Sequence, residues 1–142
     1  MLAIRRAASN KLLLQVTGVL EAATGLALLV APSMVLELLF RTALIEAAGL
    51  TVGRVAGVAL LTLGIVCWLA RKQAAGGGGK DAVTAMLIYN VGVVAVLVFA
   101  WSDLTPVGIA FWPVVLAHIG LAALLFSAWR ELSQLPSNLK SG

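Results

Sequence analysis

Three residues with chemically active side chains, Glu21, Asn90 and His118, stand within long apolar stretches of the sequence. An ionisable group inside a membrane span is costly, so it is by default a candidate functional residue. A carboxyl there can carry a proton or bind a cation, and a histidine can relay a proton or contact a ligand. Tyr89 and Arg54 lie in the same kind of stretch. These five residues form the predicted ligand-binding set.

Glu21 and His118 also have a structural interpretation. Glu21 can pair with Arg54 and hold two helices together; the two differ in height by roughly 8 Å, which an extended arginine partly bridges. We prefer this pair, since pairing is the usual fate of charges in membranes. His118 can be a neutral histidine that hydrogen bonds Asn90, Tyr89 or a backbone carbonyl. Both interpretations stay open beside the functional ones.

The sequence lacks the residues that a cofactor site or an enzyme active site would need. His118 is the only histidine, so a haem with two histidine ligands has no second ligand. Zinc would have only Glu21 and Cys67 as further ligands, and Cys67 lies at another depth. No nucleophile–base pair appears, so an enzyme is the last of the function classes considered. The sequence predicts no cofactor and no metal.

The composition indicates what must position these residues. Of the 142 residues, 61% are hydrophobic and only 11% are charged, far below the charged share of a soluble domain. A soluble chain of this length cannot hide so much apolar surface. The composition therefore predicts a single integral membrane domain. It excludes a disordered chain, a disulfide scaffold and a nucleic-acid-binding module.

Four apolar stretches are long enough to cross a bilayer, which takes about 20 helical residues. They predict an all-α, four-helix membrane bundle whose spans cover residues 12–31, 50–70, 82–101 and 107–129.

The connections between these spans differ. Residues 33–48 follow the helix-starting Pro32, and we expect a short helix in the membrane interface; the alternative is an extension of the first span, bent at Pro32. Residues 76–79 are four glycines, which predict a flexible linker. The connection over residues 102–106 is short, so the last two spans should form a hairpin.

Basic residues are distributed unevenly around the spans. Only Arg41 and Arg54 lie on one side, and the other eight of the ten lie on the side of the two termini. Since Lys and Arg are enriched in cytoplasmic loops, we expect both termini in the cytoplasm of a bacterium and the spans in its inner membrane. Tryptophan is enriched at membrane–water interfaces, so four tryptophans at the ends of the spans support the predicted span boundaries: Trp68, Trp101, Trp112 and Trp129.

Small residues indicate where the first two spans approach each other. Close backbone approach drives helix association in lipid, and small side chains permit it. Each span carries one such stripe, and together we expect them to form a helix-packing face: Gly18, Ala22 and Gly25 on the first span, and Gly53, Gly57 and Gly64 on the second.

On the last two spans, small and polar residues lie on opposite faces. At 100° per residue, Asn90 lies nearly opposite Gly92, and His118 nearly opposite Gly120 and Ser127. Because a lipid-facing histidine or asparagine is expensive, we expect the polar faces to line a central cavity. The small faces then meet neighbouring helices or protomers.

Residues 18–32 (GVLEAATGLALLVAP) and 52–71 (VGRVAGVALLTLGIVCWLAR) resemble the DoxX-like superfamily of small bacterial four-helix inner-membrane proteins. The resemblance lies in the hydropathy, the glycines, an acidic residue in the first helix and an arginine opening the second. These residues belong to the first two of the four spans, which with their flanks make up about half of the chain. It implies a four-helix bundle and transfers no catalytic residue, and fold alone does not supply a function.

These expectations favour a non-enzymatic accessory or ligand-binding protein, which holds a small lipophilic molecule such as a quinone or an isoprenoid lipid near Glu21, Asn90 and His118. The alternatives are a small proton-coupled transporter with Glu21 as its proton site, and a structural subunit of a membrane complex. The expected partners are membrane lipid, the lipophilic ligand, and either a second copy of the chain or a membrane-complex subunit. Nucleic acid is not among them.

Overall fold

A computed structural model describes residues 2–41, 46–74, 77–103 and 106–134, with side chains from residue 7 onward. These residues form five α-helices and a 3₁₀ turn, with no strand among them: α1 (Leu2–Val30), α2 (Pro32–Phe40), α3 (Ala47–Ala70), the turn (Arg71–Gln73), α4 (Gly77–Ala100) and α5 (Phe111–Ser133). Within the described ranges, α1, α3, α4 and α5 are long and apolar enough to cross a membrane. The chain is thus a multi-pass, all-α membrane protein, and the predicted fold class is confirmed.

The helices α1 and α3 approach each other backbone to backbone. A Cβ atom built on Gly25 would lie 2.7 Å from the carbonyl oxygen of Gly57, and one on Gly64 would lie 2.6 Å from that of Gly18. Ala22 belongs to the same contact, since its Cβ lies 2.9 Å from the Cβ position of Gly64. Real side chains essentially never approach so closely, so the two helices meet in this way only because these positions are glycine.

Gly53 belongs to a different contact. A Cβ on Gly53 would lie 3.2 Å from the Cβ of Pro32 and 3.4 Å from the Cδ1 of Leu36, both on α2. The structure therefore places this glycine under α2, and not against α1. The short helix α2 lies across the first turns of α3.

The helix α2 is shorter than the predicted interfacial helix over residues 33–48. It is separated from α1 by Ala31, whose backbone is non-helical, and Pro32 is its first residue, so it is a separate helix. It ends because Arg41 adopts the left-handed conformation, with φ 53°, and its N–H bonds the carbonyl of Glu37. Residues 42–45 lie outside the described residues, and 47–48 already belong to α3. The prediction was therefore wrong at Arg41 and at residues 47–48.

The prediction of a flexible glycine linker over residues 76–79 is also wrong for residues 77–79, because α4 begins at Gly77. A Cβ on Gly79 would lie 2.5 Å from the carbonyl oxygen of Gln73 and 2.7 Å from the Cα of Ala74. The glycine lets the first turn of α4 pack directly on the preceding 3₁₀ turn. It serves close packing here, and not flexibility. Gly76 lies outside the described residues.

The last span begins later than predicted, at Phe111 and not at residue 107. The segment before it pairs with the end of α2: the N–H of Gly108 donates to the carbonyl of Leu39 at 2.8 Å, and that of Ala110 to the carbonyl of Leu38 at 3.0 Å. The last carbonyls of a helix have no partner within it. Residues 107–110 supply those partners and so remain outside α5. The helices that contain the other three spans, by contrast, begin before the predicted spans: α1 by ten residues, α3 by three and α4 by five.

Aromatic rings lie at both ends of the spans. The rings of Trp101 and Trp112 meet edge to face at 5.3 Å and join the end of α4 to the start of α5, as the predicted hairpin requires. At the opposite end, the guanidinium of Arg71 lies 3.8 Å above the ring of Trp68. We call this second end the basic end, because Arg71, Lys72 and Arg130 lie there.

Candidate functional site

Polar side chains from three helices converge in the interior of the bundle. Glu21 comes from α1 and is 4% exposed, Asn90 comes from α4 and is fully buried, and His118 comes from α5. Tyr89 of α4 lies between Glu21 and His118. Its hydroxyl lies close to the Glu21 carboxyl, and its ring meets the His118 ring edge to face, with centroids 5.9 Å apart.

His118 is held by Asn90. The Nδ1 atom of His118 lies 2.7 Å from the Oδ1 atom of Asn90, while the Nδ2 atom of Asn90 donates to the carbonyl of Met86 at 2.8 Å. Since the amide nitrogen of Asn90 is used by that carbonyl, its oxygen faces the imidazole and Nδ1 must be the donor. In a neutral imidazole with a proton on Nδ1, the other nitrogen, Nε2, is an acceptor. Asn90 thus sets which nitrogen of His118 accepts a hydrogen bond.

A cavity of about 310 Å³ adjoins these polar groups. Four of its lining residues are polar or ionisable: Glu21, Thr24, Tyr89 and His118. The other walls are apolar and come from α1, from α2, from α5 and from Ala110 just before it: Leu20, Val35, Leu38, Leu39, Ala110, Val114, Ala117 and Leu121. An apolar cavity with a few converging polar groups is the usual form of a small-molecule site.

The cavity opens sideways. Among its lining residues, Leu20 and Thr24 of α1 and Ala117 of α5 are exposed on the surface of the bundle. Both helices are membrane spans, so the opening between them faces the hydrocarbon part of the bilayer. The helix α2 covers the cavity on the side away from the basic end, through Leu38 and Leu39.

Arg54 does not take part in this site. Its side chain is exposed on α3, one position beyond Gly53, and it does not line the cavity. Among the residues that the structure describes, no cation lies within ion-pair distance of Glu21, and the nearest polar neighbour that affects its carboxyl is the hydroxyl of Tyr89. The prediction that Glu21 pairs with Arg54 is therefore wrong. Similar height in the membrane does not bring two side chains together when their helices turn them in different directions.

The faces of α4 and α5 are arranged as predicted. Asn90 is buried and His118 half-buried, whereas Gly92, Gly120 and Ser127 are exposed. A Cβ atom on either glycine would have no heavy atom within 4 Å. The polar faces therefore point inward, and the small faces lie on the outside of the bundle.

Two further polar residues of α1 were not among the predicted site residues. Asn10 is 4% exposed and Thr17 is fully buried. The hydroxyl of Thr17 has no hydrogen-bond partner within the described part of the chain. The signal was present in the sequence, since Asn10, Thr17 and Glu21 recur at helical spacing on one face of α1. Gly108, by contrast, had no sequence signal, because its contact with α2 depends on a partner remote in the chain.

The described residues contain no group of three His, Cys, Asp or Glu side chains arranged to hold a metal ion. Cys67 is a free thiol buried in the core cluster with Leu14, Val83 and Met86. The site is thus a set of hydrogen-bonding groups around an apolar cavity. Comparison of the chain with protein-family models, curated proteins and solved structures returned no match.

Proposed function

We propose that this protein binds a small lipophilic molecule, which enters the cavity from the bilayer between α1 and α5. One observation carries the proposal: the cavity opens towards lipid and has its polar groups, Glu21, Tyr89 and His118, on otherwise apolar walls. A ligand with a polar group at one end and an apolar remainder matches that arrangement. A quinone or an isoprenoid lipid has this form.

The size of the cavity limits how the ligand is held. About 310 Å³ is at the lower end of the roughly 300–1,000 Å³ found for small-molecule sites. It has room for the head of such a molecule and not for a long tail, which would extend through the opening into the bilayer. At the head, Nε2 of His118 can accept a hydrogen bond, and the carboxyl of Glu21 can accept one or, when it is protonated, donate one.

Binding to the purified protein tests this proposal. Native mass spectrometry from a mild detergent should show a retained lipid, and decyl-benzoquinone and farnesol serve as added probes. We expect His118→Ala and Tyr89→Phe to weaken retention of at least one probe, whereas Leu116→Ala, at an exposed position of α5 that does not line the cavity, keeps it. If wild type and all three variants retain the probes equally, the site does not bind these molecules.

A proton-coupled transporter is the second candidate function, and the surroundings of the Glu21 carboxyl favour it. This carboxyl is buried close to the hydroxyl of Tyr89, and no cation pairs with it among the described residues, so a proton can neutralise it. Proton uptake into proteoliposomes, followed with an internal pH dye, should then require Glu21. Uptake by Glu21→Gln at the wild-type rate would exclude this candidate.

We also propose that the protein lies in a bacterial inner membrane with both termini in the cytoplasm. The support is the placement of the basic residues, eight of ten on the side of the termini. The relationship to the DoxX-like superfamily is proposed on residues 18–32 and 52–71 only.

A further inference from the structure

A second cavity, of about 870 Å³, lies at the end of the bundle opposite the basic end. The helix α2 and its C-terminal residue form one side of it, and the segment before α5 with the first turn of α5 forms the other. The backbone bonds from Gly108 and Ala110 to α2 join the two sides. Eight residues line this cavity: Met34, Glu37, Leu38, Arg41, Val107, Gly108, Ile109 and Trp112.

The second cavity lies at the boundary between the hydrocarbon layer and water. Trp112 is the second residue of α5, and its ring meets the ring of Trp101 just after the end of α4; tryptophan is enriched at this boundary. Three apolar side chains of the lining are strongly exposed: Met34 by 56%, Leu38 by 45% and Ile109 by 85%. At this depth such side chains contact the acyl chains of lipids. The cavity therefore joins the head-group layer to the hydrocarbon.

The lining of this cavity carries one negative and one positive side chain, Glu37 and Arg41, and both are exposed. They are four residues apart, a spacing that favours an ion pair on a continuous helix. Arg41, however, ends α2 with a left-handed backbone, so its side chain leaves the helical face. Within the described part of the chain, neither of the two has an ion-pair partner. The adjoining undescribed residues, 42–45 and 104–105, include no charged residue.

The two charges restrict the occupant. A group with an anion and a cation a few bonds apart satisfies both, and the exposed apolar side chains require a hydrocarbon part as well. A zwitterionic phospholipid has all three. The guanidinium of an arginine donates hydrogen bonds to phosphate oxygens, often two at once. A carboxylate accepts hydrogen bonds, which a primary ammonium can donate and a quaternary ammonium cannot.

We infer that the second cavity binds the head group of a phospholipid with a primary ammonium, such as phosphatidylethanolamine. The phosphate lies at Arg41, the ammonium at Glu37, and the acyl chains leave past Ile109 into the bilayer. A volume of about 870 Å³ is within the roughly 300–1,000 Å³ of small-molecule sites. The inference does not rest on the proposed function, because the two cavities share Leu38 and no polar residue.

Three lipids with the same two oleoyl chains separate the contributions of the head. Native mass spectrometry of the detergent-solubilised protein measures the retention of dioleoyl phosphatidylethanolamine, phosphatidylcholine and phosphatidylglycerol. Phosphatidylcholine keeps the phosphate and the positive charge but has no N–H donor, and phosphatidylglycerol has no cation. We expect phosphatidylethanolamine to be retained roughly five- to tenfold better than phosphatidylcholine, through its hydrogen bonds to Glu37.

Exposed residues of the same types on the side of α3 provide matched controls. Glu46 and Arg54 are exposed like Glu37 and Arg41 but do not line the cavity. We expect Glu37→Gln to remove the preference for phosphatidylethanolamine over phosphatidylcholine, and Glu46→Gln to keep it. Arg41→Gln should weaken the retention of both lipids, whereas Arg54→Gln should not.

Two further arms separate this site from other binding. His118→Ala should leave the lipid preference unchanged, since His118 lines the first cavity. Soluble glycerophosphoethanolamine, which has the head without the chains, should not displace the lipid at equal concentration.

Three results would overturn the inference. Equal retention of phosphatidylethanolamine and phosphatidylcholine by the wild type shows that the head is not read through its N–H groups. The same preference in Glu37→Gln as in Glu46→Gln removes the cavity as the place of binding. Displacement by glycerophosphoethanolamine shows that the occupant is a soluble head group and not a lipid.

Discussion

The imidazole of His118 and the amide of Asn90 are joined across α4 and α5 by a hydrogen bond of 2.7 Å. Asn90 is fully buried and does not line the cavity, whereas His118 does. Asn90 therefore positions the histidine and does not contact a ligand itself.

Removal of this bond should be measurable as a loss of stability. Asn90→Ala leaves Nδ1 of His118 without its partner, which costs about 1–3 kcal/mol. We expect a lower Tm in detergent, whereas Ser127→Ala, an exposed control that loses only a bond to its own helix at Ala123, should leave Tm nearly unchanged. Equal Tm values for the two variants would contradict the positioning role of Asn90.

The packing of α1 against α3 predicts different effects at two adjacent positions. Gly57 is buried, and a Cβ there would lie 2.8 Å from the carbonyl oxygen of Gly25, whereas Val58 is exposed. Gly57→Leu should therefore push the helices apart and strongly reduce the folded yield in detergent. Val58→Leu should give the wild-type yield. Comparable yields, measured by size-exclusion chromatography, would show that this contact does not hold the bundle together.

A double-mutant cycle distinguishes the partners of Glu21. Because Arg54 is exposed and lies apart from Glu21, the coupling energy between Glu21→Gln and Arg54→Gln should be near zero. The cycle of Glu21→Gln with Tyr89→Phe should give a larger coupling energy, up to about 1 kcal/mol, because the Tyr89 hydroxyl lies close to the Glu21 carboxyl. Thermal unfolding in detergent measures both. A substantial coupling energy with Arg54 would restore the ion pair that the structure does not show.

Two glycines should respond in opposite ways to alanine. A Cβ on Gly108 would overlap the carbonyl of Leu38, where residues 107–110 pair with the end of α2. Gly108→Ala should destabilise the protein by separating α2 from this segment. Gly120 lies in α5 with open space around it, so Gly120→Ala should be neutral or stabilise by up to about 1 kcal/mol through helix propensity. A Tm for Gly108→Ala at or above that of Gly120→Ala would contradict the contact.

The proposed topology is tested by reporter fusions. Fusions at Lys80 and Gly142 should report the cytoplasm, and a fusion at Asp103 the periplasm, because basic residues are retained on the cytoplasmic side. A periplasmic signal from Gly142 would reverse the proposed orientation.

The number of spans, their approximate positions and the glycines between α1 and α3 were predictable from sequence. Hydropathy depends on residues that are consecutive in the chain, and a helical repeat of small residues defines one face. The inward direction of Asn90 and His118 followed from the cost of exposing them to lipid. Each of these properties belongs to a single helix.

Only the tertiary structure decided which residue each inward face meets. Glu21 and Arg54 are on neighbouring spans, yet the Glu21 carboxyl lies close to Tyr89 on a third helix, because the glycine contact of α1 with α3 fixes the rotation of both. The end of α2 and the start of α5 were likewise decided by the backbone bonds from Gly108 and Ala110 to Leu39 and Leu38. Helical periodicity gives the direction of a side chain around its own axis. It carries no information about which distant segment lies there, and that depends on how all the helices pack together.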